Sequence, residues 1–327
     1  MRSLSLVEAV TDALAVEMQA DPTVLVFGQD VGGKGGVFRA TAGLQERFGE
    51  ARCFDTPLSE GGIVGAAIGM AVGGLKPVVE IQFSGFSYSA FNQLANHAAR
   101  LRNRSRGSLT VPLVLRTPHG GGIRAPEHHS ECMEALFAHL RGLKVVIPST
   151  PYDTKGLLIA AIRDPDPVVF LEPARIYRSV RQEVPEEAYT IQIGKARVEA
   201  EGTELTLVSY GAQMKEAREA ARLLDARGRS VELIDLRTIY PLDAEAIAAS
   251  VRKTGRLLVV HEASESFGVA AEVMAATVEG AFEYLQAPPA RFTGPDAFTP
   301  LARGEHHHLI RAERIASEAQ KVLDYEP

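Results

Sequence analysis

Apolar residues recur at Leu6, Val10, Leu14 and Met18, the spacing of one helical face, directly after Ser5-Leu6-Val7-Glu8, which has the form of a capping box. The chain therefore opens on an amphipathic helix. The pattern then shortens: Val24–Phe27, Val78–Ile81, Leu113–Leu115, Lys144–Ile147 and Val168–Leu171 are brief runs rich in β-branched residues, bounded by Gly, Pro or Asp. Such runs read as buried parallel strands. Helical segments separate them, roughly Glu60–Gly73, Ser87–Arg100 and Tyr152–Arg163, the alternation expected of a doubly wound α/β sheet. Between Val180 and Ile193 the periodicity breaks and Glu183, Pro185, Glu186 and Glu187 cluster, which suits an interdomain linker. A second alternation follows, with strands at Leu205–Ser209, Val231–Ile234 and Leu257–Val260. Its helices fall near Gln213–Ala226, Asp243–Lys253, Ala270–Tyr284 and Leu309–Leu323. The expected organisation is a first domain over residues 1–182, a linker over 183–203 and a second α/β domain over 204–327.

Length agrees with that division, because 327 residues exceed the usual size of one hydrophobic core. Apolar runs such as Leu257–Val260 are far too short to span a bilayer. Glu8 and Asp12 interrupt the stretch a secretory signal would need, so the expected location is the cytoplasm. Cys53 and Cys132 have neither CxxC spacing nor further partners and read as reduced thiols. A formal net charge of −6 argues against general nucleic-acid binding.

Few stretches carry candidate chemistry. Gly28-Gln-Asp-Val-Gly-Gly33-Lys34 matches GxxxxGK, but Gly35 stands where a phosphate loop needs Ser or Thr for magnesium, which leaves a flexible glycine loop after a strand. Gly65, Gly69 and Gly73 form a stripe without Cβ atoms, suited to close packing within the fold or across a subunit contact. Arg100, Arg102, Arg104 and Arg106 form a basic run that fits a solvated helix end, an anionic contact or an interface. Asp55-Thr56-Pro57-Leu58-Ser59-Glu60-Gly61 places a carboxylate where a loop enters a glycine-rich helix. Taken alone, Ser59 and Glu60 suit a helix cap and its macrodipole.

DTPLSE, followed by Glu80-Ile-Gln-Phe83 and the stretch Phe86–Gln93, resembles the beta chain of the thiamine-diphosphate-dependent 2-oxo acid dehydrogenases. Further motifs stand in that family's order: Arg116-Thr-Pro-His-Gly-Gly-Gly122, Pro126-Glu-His-His-Ser130, Gly142-Leu-Lys-Val-Val146, Lys155-Gly-Leu-Leu158, Phe170-Leu-Glu-Pro173, Asp235-Leu-Arg-Thr238 and Lys253-Thr-Gly-Arg256. The resemblance covers nearly the whole chain. It implies two doubly wound α/β domains, an N-terminal pyrimidine-binding and a C-terminal transketolase-like domain.

The resemblance gives Glu60 the carboxyl that bonds the cofactor's aminopyrimidine ring and primes its exocyclic amine to deprotonate the thiazolium. Such a carboxyl needs a dry pocket, where desolvation and proton sharing tune its affinity. Leu58, Gln82 and Phe86 would line the pyrimidine side; Phe86 replaces a tyrosine frequent in relatives, keeping the aromatic wall but losing a hydroxyl donor. His129 matches the family's active-site histidine, on a loop freed by Gly120, Gly121 and Gly122, and would bond the 2-oxo acid carboxylate or assist acyl transfer. Its other readings are a surface histidine, or a metal ligand beside Glu127 and His128. His306, His307 and His308 read as a polar surface loop, with a metal site as the alternative. The family's potassium site maps to Gly107, Leu109, Thr110, Ala161, Asp164 and Asp166, with backbone carbonyls as most of the ligands, and the alternative is turn-forming aspartates beside Pro165 and Pro167.

No GDG and no Asn-Asn pair occurs in the chain, although thiamine-diphosphate enzymes hold magnesium and diphosphate with a GDG-to-Asn motif. The resemblance therefore implies an alpha subunit that carries the motif, a heterotetramer of two alpha and two beta chains, and a lipoyl acyltransferase component that receives the product. The expected function is oxidative decarboxylation of pyruvate or a branched-chain 2-oxo acid with acyl transfer to lipoyl groups. An acetoin dehydrogenase beta chain and a non-catalytic scaffold are the alternatives.

Overall fold

The computed structural model describes residues 1–326. The opening helix, Leu6–Ala20, carries the capping box: Ser5 N donates to Glu8 Oε2 at 2.7 Å, and the Ser5 side chain accepts from Glu8 N. Its buried face packs against the helix Pro151–Arg163, and the carboxylate of Glu17 receives Arg163 Nε at 2.9 Å and Nη2 at 2.7 Å. That second helix starts where Thr150 accepts from Asp153 N and Pro151 occupies the first turn, an arrangement favoured at helix N-termini.

The first sheet has seven strands in the order Thr238–Tyr240, Lys144–Val146, Val168–Pro173, Val114–His119, Lys76–Glu80, Val24–Gly28 and Cys53–Asp55. All run parallel except Thr238–Tyr240. The second sheet orders Ala290–Gly294, Leu257–Ser264, Leu205–Ser209, Val231–Asp235 and Arg197–Ala200, the last antiparallel. Buried residues of one cluster run from the first domain (Ile63, Val79, Leu115, Ile147) into the second (Val208, Ile234, Ile247, Val259, Val269). Separate clusters fill the far face of each sheet.

Two expectations change. The segment read as linker is partly regular: Arg181–Val184 pairs antiparallel with Arg2–Ser5, and Arg197–Ala200 is the edge of the second sheet. The reason lies in Lys155, fully buried, whose ammonium is 2.8 Å from Asp12 Oδ2 and donates to the carbonyls of Pro185 and Glu186. A buried ammonium needs those acceptors, so the chain is fastened there. The helix expected over Ser87–Arg100 is broken into a 3-10 segment Ser84–Ala90, a short α turn Phe91–Gln93, a π turn Leu94–Ala98 and a further turn Leu101–Arg104. Ser84 Oγ donates to the Glu131 carbonyl at 2.7 Å and Ser89 Oγ lies 3.0 Å from the Phe86 carbonyl, bonds that compete with regular helix.

The centre of the first sheet holds a buried ionic cluster. Arg116 Nε and Nη2 donate to Glu172 at 2.6 and 3.0 Å, Arg116 Nη1 donates to Glu80 at 3.1 Å, and Tyr177 donates to Glu172 Oε2 at 2.5 Å. Burial raises the Glu80 carboxyl above its usual range, against the pull of Arg116. Replacing Arg116 with Met would leave two buried carboxylates without their cation, a change that costs about 3–5 kcal/mol when one partner of a buried pair is removed. The expected outcome is a large drop in the denaturation midpoint; an unchanged midpoint would show that the cluster contributes nothing to stability.

Candidate functional site

Every candidate residue of the pyrimidine side lies beyond the carboxyl end of a parallel strand of the first sheet, the side on which open α/β sheets bind ligands. Leu58 and Glu60 follow Cys53–Asp55; Gln82 and Phe86 follow Lys76–Glu80; His129 sits in the loop after Val114–His119. The fold thus gathers on one edge side chains up to 71 residues apart in sequence, from Leu58 to His129.

Glu60 is the first residue of the helix Glu60–Val72 and is half-buried. Its Oε2 accepts a hydrogen bond from Ser89 Oγ at 2.9 Å, which fastens the carboxylate to the 3-10 segment carrying Phe86. Ser59, at the cap position, makes no side-chain capping bond, so the carboxylate rather than the serine organises this turn. Leu58 is 69% exposed and has no cover within the chain. Gln82 turns toward the glycine loop, its Nε2 donating to Asp30 Oδ2 at 3.2 Å, while Asp30 is also paired with Lys34.

His129 lies in the 3-10 turn Glu127–His129. Its ring meets Phe83 at 4.5 Å and Phe86 at 5.1 Å, both edge to face, and Phe83 and Phe86 meet each other in the same manner. The Nδ1 atom is buried and has no hydrogen-bond partner. An orphaned polar atom against aromatic walls is the kind of group a bound ligand would satisfy. His128 rests on the other side of Phe86, at 5.2 Å. Gly85 makes this contact possible: a Cβ there would stand 2.3 Å from the His128 carbonyl oxygen.

The half-exposed Glu60, the exposed Leu58 and the aromatic wall of Phe86 and His129 fit an aminopyrimidine ring approaching from outside the chain. At the expected cation site both side-chain carboxylates already have cationic partners within the chain. Both oxygens of Asp164 receive Lys144 Nζ, at 2.7 and 2.6 Å, and Asp166 receives Arg102 Nε at 2.5 Å. Asp166 N donates to Asp164 Oδ1 at 2.9 Å, the bond of an aspartate turn. In the basic run, Arg102 is thereby an ion-pair partner, and Arg100 and Arg104 donate to the carbonyls of Ala95 and Asn96 exposed by the broken helix.

Several residues of this edge carried no signal in the sequence. Phe83 and Ser89 lie in quoted stretches but acquire a role only through contacts. Glu305, 2% exposed, accepts from Gly122 N at 2.7 Å and Arg124 N at 2.9 Å, so the second domain holds the loop of His129 from 181 residues away. Its neighbours His306 and His307 are exposed, their rings tilted against each other at 3.8 Å, on a short helix Glu305–His308 rather than a loop.

Residues 2–180 match the family model described as transketolase, pyrimidine binding domain, and residues 194–315 match that of the transketolase C-terminal domain. The pyruvate dehydrogenase E1 component subunit beta of Acholeplasma laidlawii is 57% identical over 327 residues, covering 100% of both chains. The protein of that name from Bacillus subtilis is 51% identical over 325 residues, 99% of this chain and 100% of the other. Among solved structures, a split-gene transketolase described as an inactive beta4 tetramer superposes with a TM-score of 0.79 at 22% identity, covering 98% of this chain and 99% of that one, a likeness of fold.

Gly85→Ala tests the packing at this edge. The added methyl must displace the His128 backbone, with a cost of about 1–3 kcal/mol typical of overpacking. The expected outcome is a lowered denaturation midpoint together with shifted His129 ring resonances in NMR spectra, since that ring lies against Phe83 and Phe86. Unshifted resonances would mean that the 3-10 segment and the histidine turn are not packed together.

Proposed function

This chain belongs to the beta subunits of the 2-oxo acid dehydrogenases, built from the transketolase pyrimidine-binding and C-terminal domains, and on that premise we propose that with an alpha subunit it decarboxylates pyruvate and passes the acyl group to a lipoyl acceptor. The observation that carries the reading is the gathering of Glu60, Phe86 and His129 on one strand-end edge, with Leu58 left exposed beside them. The names of the relatives favour pyruvate over branched-chain acids. Bound thiamine diphosphate supplies the electron sink for decarboxylation.

The chain's own residues have distinct tasks in this reading. Leu58 and Phe86 hold the pyrimidine ring by apolar contact, with Gln82 at its edge. Glu60 shares a proton with the ring nitrogen, and cover by the alpha subunit removes water from Leu58 and Glu60. Ser89, already on Oε2, fixes the carboxylate so that Oε1 is left for the ring. His129, free at Nδ1, donates to the carboxylate of the 2-oxo acid. The exposed face of the helix Glu60–Val72 at Gly62, Ala66 and Gly69, with no atom of the chain within 4 Å of an added Cβ at Gly69, suits close approach of a second chain. The diphosphate and its magnesium fall to the alpha subunit, since the chain has no GDG. Two alpha and two beta chains make the assembly, working in the cytoplasm beside a lipoyl acyltransferase component. A potassium ion at Gly107, Leu109, Thr110, Ala161, Asp164 and Asp166 would have to rely on backbone carbonyls, both carboxylates being paired with Lys144 and Arg102.

Calorimetry and a substrate panel test the whole reading. The isolated chain is expected to bind no thiamine diphosphate at micromolar concentration; the reconstituted alpha–beta enzyme is expected to bind it and to prefer pyruvate to 3-methyl-2-oxobutanoate and acetoin. Tight binding by the chain alone would end the shared-site argument, and preference for acetoin would replace the substrate assignment.

Glu60→Gln keeps the shape of the side chain and removes its proton-sharing capacity. Hydrogen–deuterium exchange at the thiazolium carbon of the reconstituted enzyme is expected to slow by about 10²-fold or more, the scale of a positioned acid–base group. Exchange at the wild-type rate would return Glu60 to a helix-terminus role.

A further inference from the structure

The loop that carries His129 springs from one place. It leaves the sheet at His119, the last residue of its strand, and returns at Cys132 and Glu134, the latter opening the short helix Glu134–Ala138. A single long backbone bond, Gly120 N to the Glu131 carbonyl at 3.3 Å, closes its base. Side chains from both ends converge there. Ligand atoms of His119, Cys132 and Glu134 all lie within 4.8 Å of one another, the one group of three or more His, Cys, Asp or Glu side chains so gathered among the described residues.

We propose that His119, Cys132 and Glu134 form a zinc site that staples the base of this loop. His119 Nε2 and Glu134 Oε2 are 3.1 Å apart and both side chains are buried. That spacing suits neighbouring ligands of a tetrahedral ion with bonds of about 2.0–2.2 Å. Glu134 Oε2 is buried and lacks a hydrogen bond of acceptable geometry even with His119 so near, so it retains a free lone pair. Its other oxygen accepts from Tyr210 Oη at 2.8 Å, an outer contact that fixes the carboxylate as such contacts fix metal ligands. Sulfur and imidazole donors select zinc over magnesium or calcium, which take oxygen.

Burial, then Glu134 and Glu262, hold the Cys132 thiol well above its ordinary pKa, against Arg175, which is itself 3.5 Å from Glu262. Glu262 lies against Gly120, where an added Cβ would be 2.7 Å from Oε1. On binding, the thiol proton and any proton held between His119 and Glu134 pass to solvent, and a bond forms from each ligand to the ion with no change of oxidation state. Three protein ligands leave a fourth position for water.

The test uses the reconstituted enzyme with its cofactor, washed with a weak chelator, and measures bound zinc and the spectrum after cobalt(II) replacement. Stoichiometric zinc and a thiolate-to-cobalt charge-transfer band are expected. Cys132→Ser, nearly isosteric, is expected to keep the fold by circular dichroism, to abolish the band and to weaken zinc binding by at least about 10²-fold, the scale reached when even an outer contact to a ligand is lost. His119→Gln is expected to weaken binding likewise. Absence of the cobalt band in the wild-type enzyme, or zinc equal to that in Cys132→Ser, would overturn the assignment. So would loss of the metal in His307→Asn with retention in Cys132→Ser, which would place the ion at the exposed histidines.

Discussion

The Arg116 guanidinium, fully buried between Glu80 and Glu172, is the constraint on which the candidate site depends. These residues stand on three adjacent strands, Lys76–Glu80, Val114–His119 and Val168–Pro173, near their carboxyl ends. One cation and two acids leave a negative surplus, relieved by burial raising Glu80 and by Tyr177 donating to Glu172. A buried charge without its partners is costly, so the three strand ends cannot slide independently. The segments that leave them carry Gln82 and Phe86, and the His129 loop. Glu80 also faces the glycine loop, where an added Cβ at Gly36 would lie 3.0 Å from its Oε1, so the loop that receives Gln82 is set by the same cluster.

A second constraint joins the domains. After Val231–Asp235 in the second sheet, the chain turns at Arg237 and gives Thr238–Tyr240 to the first sheet as its edge. Arg237 donates to Asp153 at the start of the helix Pro151–Arg163 and to the Lys195 carbonyl. Together with Glu305 on the loop of His129, this makes the second domain a support for the first. The two sheets share a continuous core for the same reason.

What the chain leaves open is as informative as what it closes. Glu60 is fastened by Ser89, and His129 is walled by Phe83 and Phe86, yet Leu58 and the small-residue face of the neighbouring helix meet no cover. Leu58 and that helix face are therefore the parts of this edge that the chain itself leaves uncovered.

The sequence by itself determined the alternation of strands and helices, the capping box at Ser5 and the family motifs, because these are local patterns or short runs of identity. It misjudged the segments whose form depends on distant partners. The stretch Ser87–Arg100 has helical composition, but Ser84 ahead of it bonds to the Glu131 carbonyl and Ser89 within it bonds to Glu60, and its first residues stay in the 3-10 segment Ser84–Ala90. Residues 181–184 look like linker until Arg2–Ser5 offers an edge to pair with and Lys155 draws in the carbonyls that follow. At Asp164 and Asp166 the sequence leaves a cation site and an aspartate turn both open, and only the fold shows their carboxylates paired with Lys144 and Arg102. Glu305 and the gathering of His119, Cys132 and Glu134 were likewise decided by tertiary structure, since hydrogen bonds and ligand geometry act over ångströms in space and leave no periodic trace along the chain.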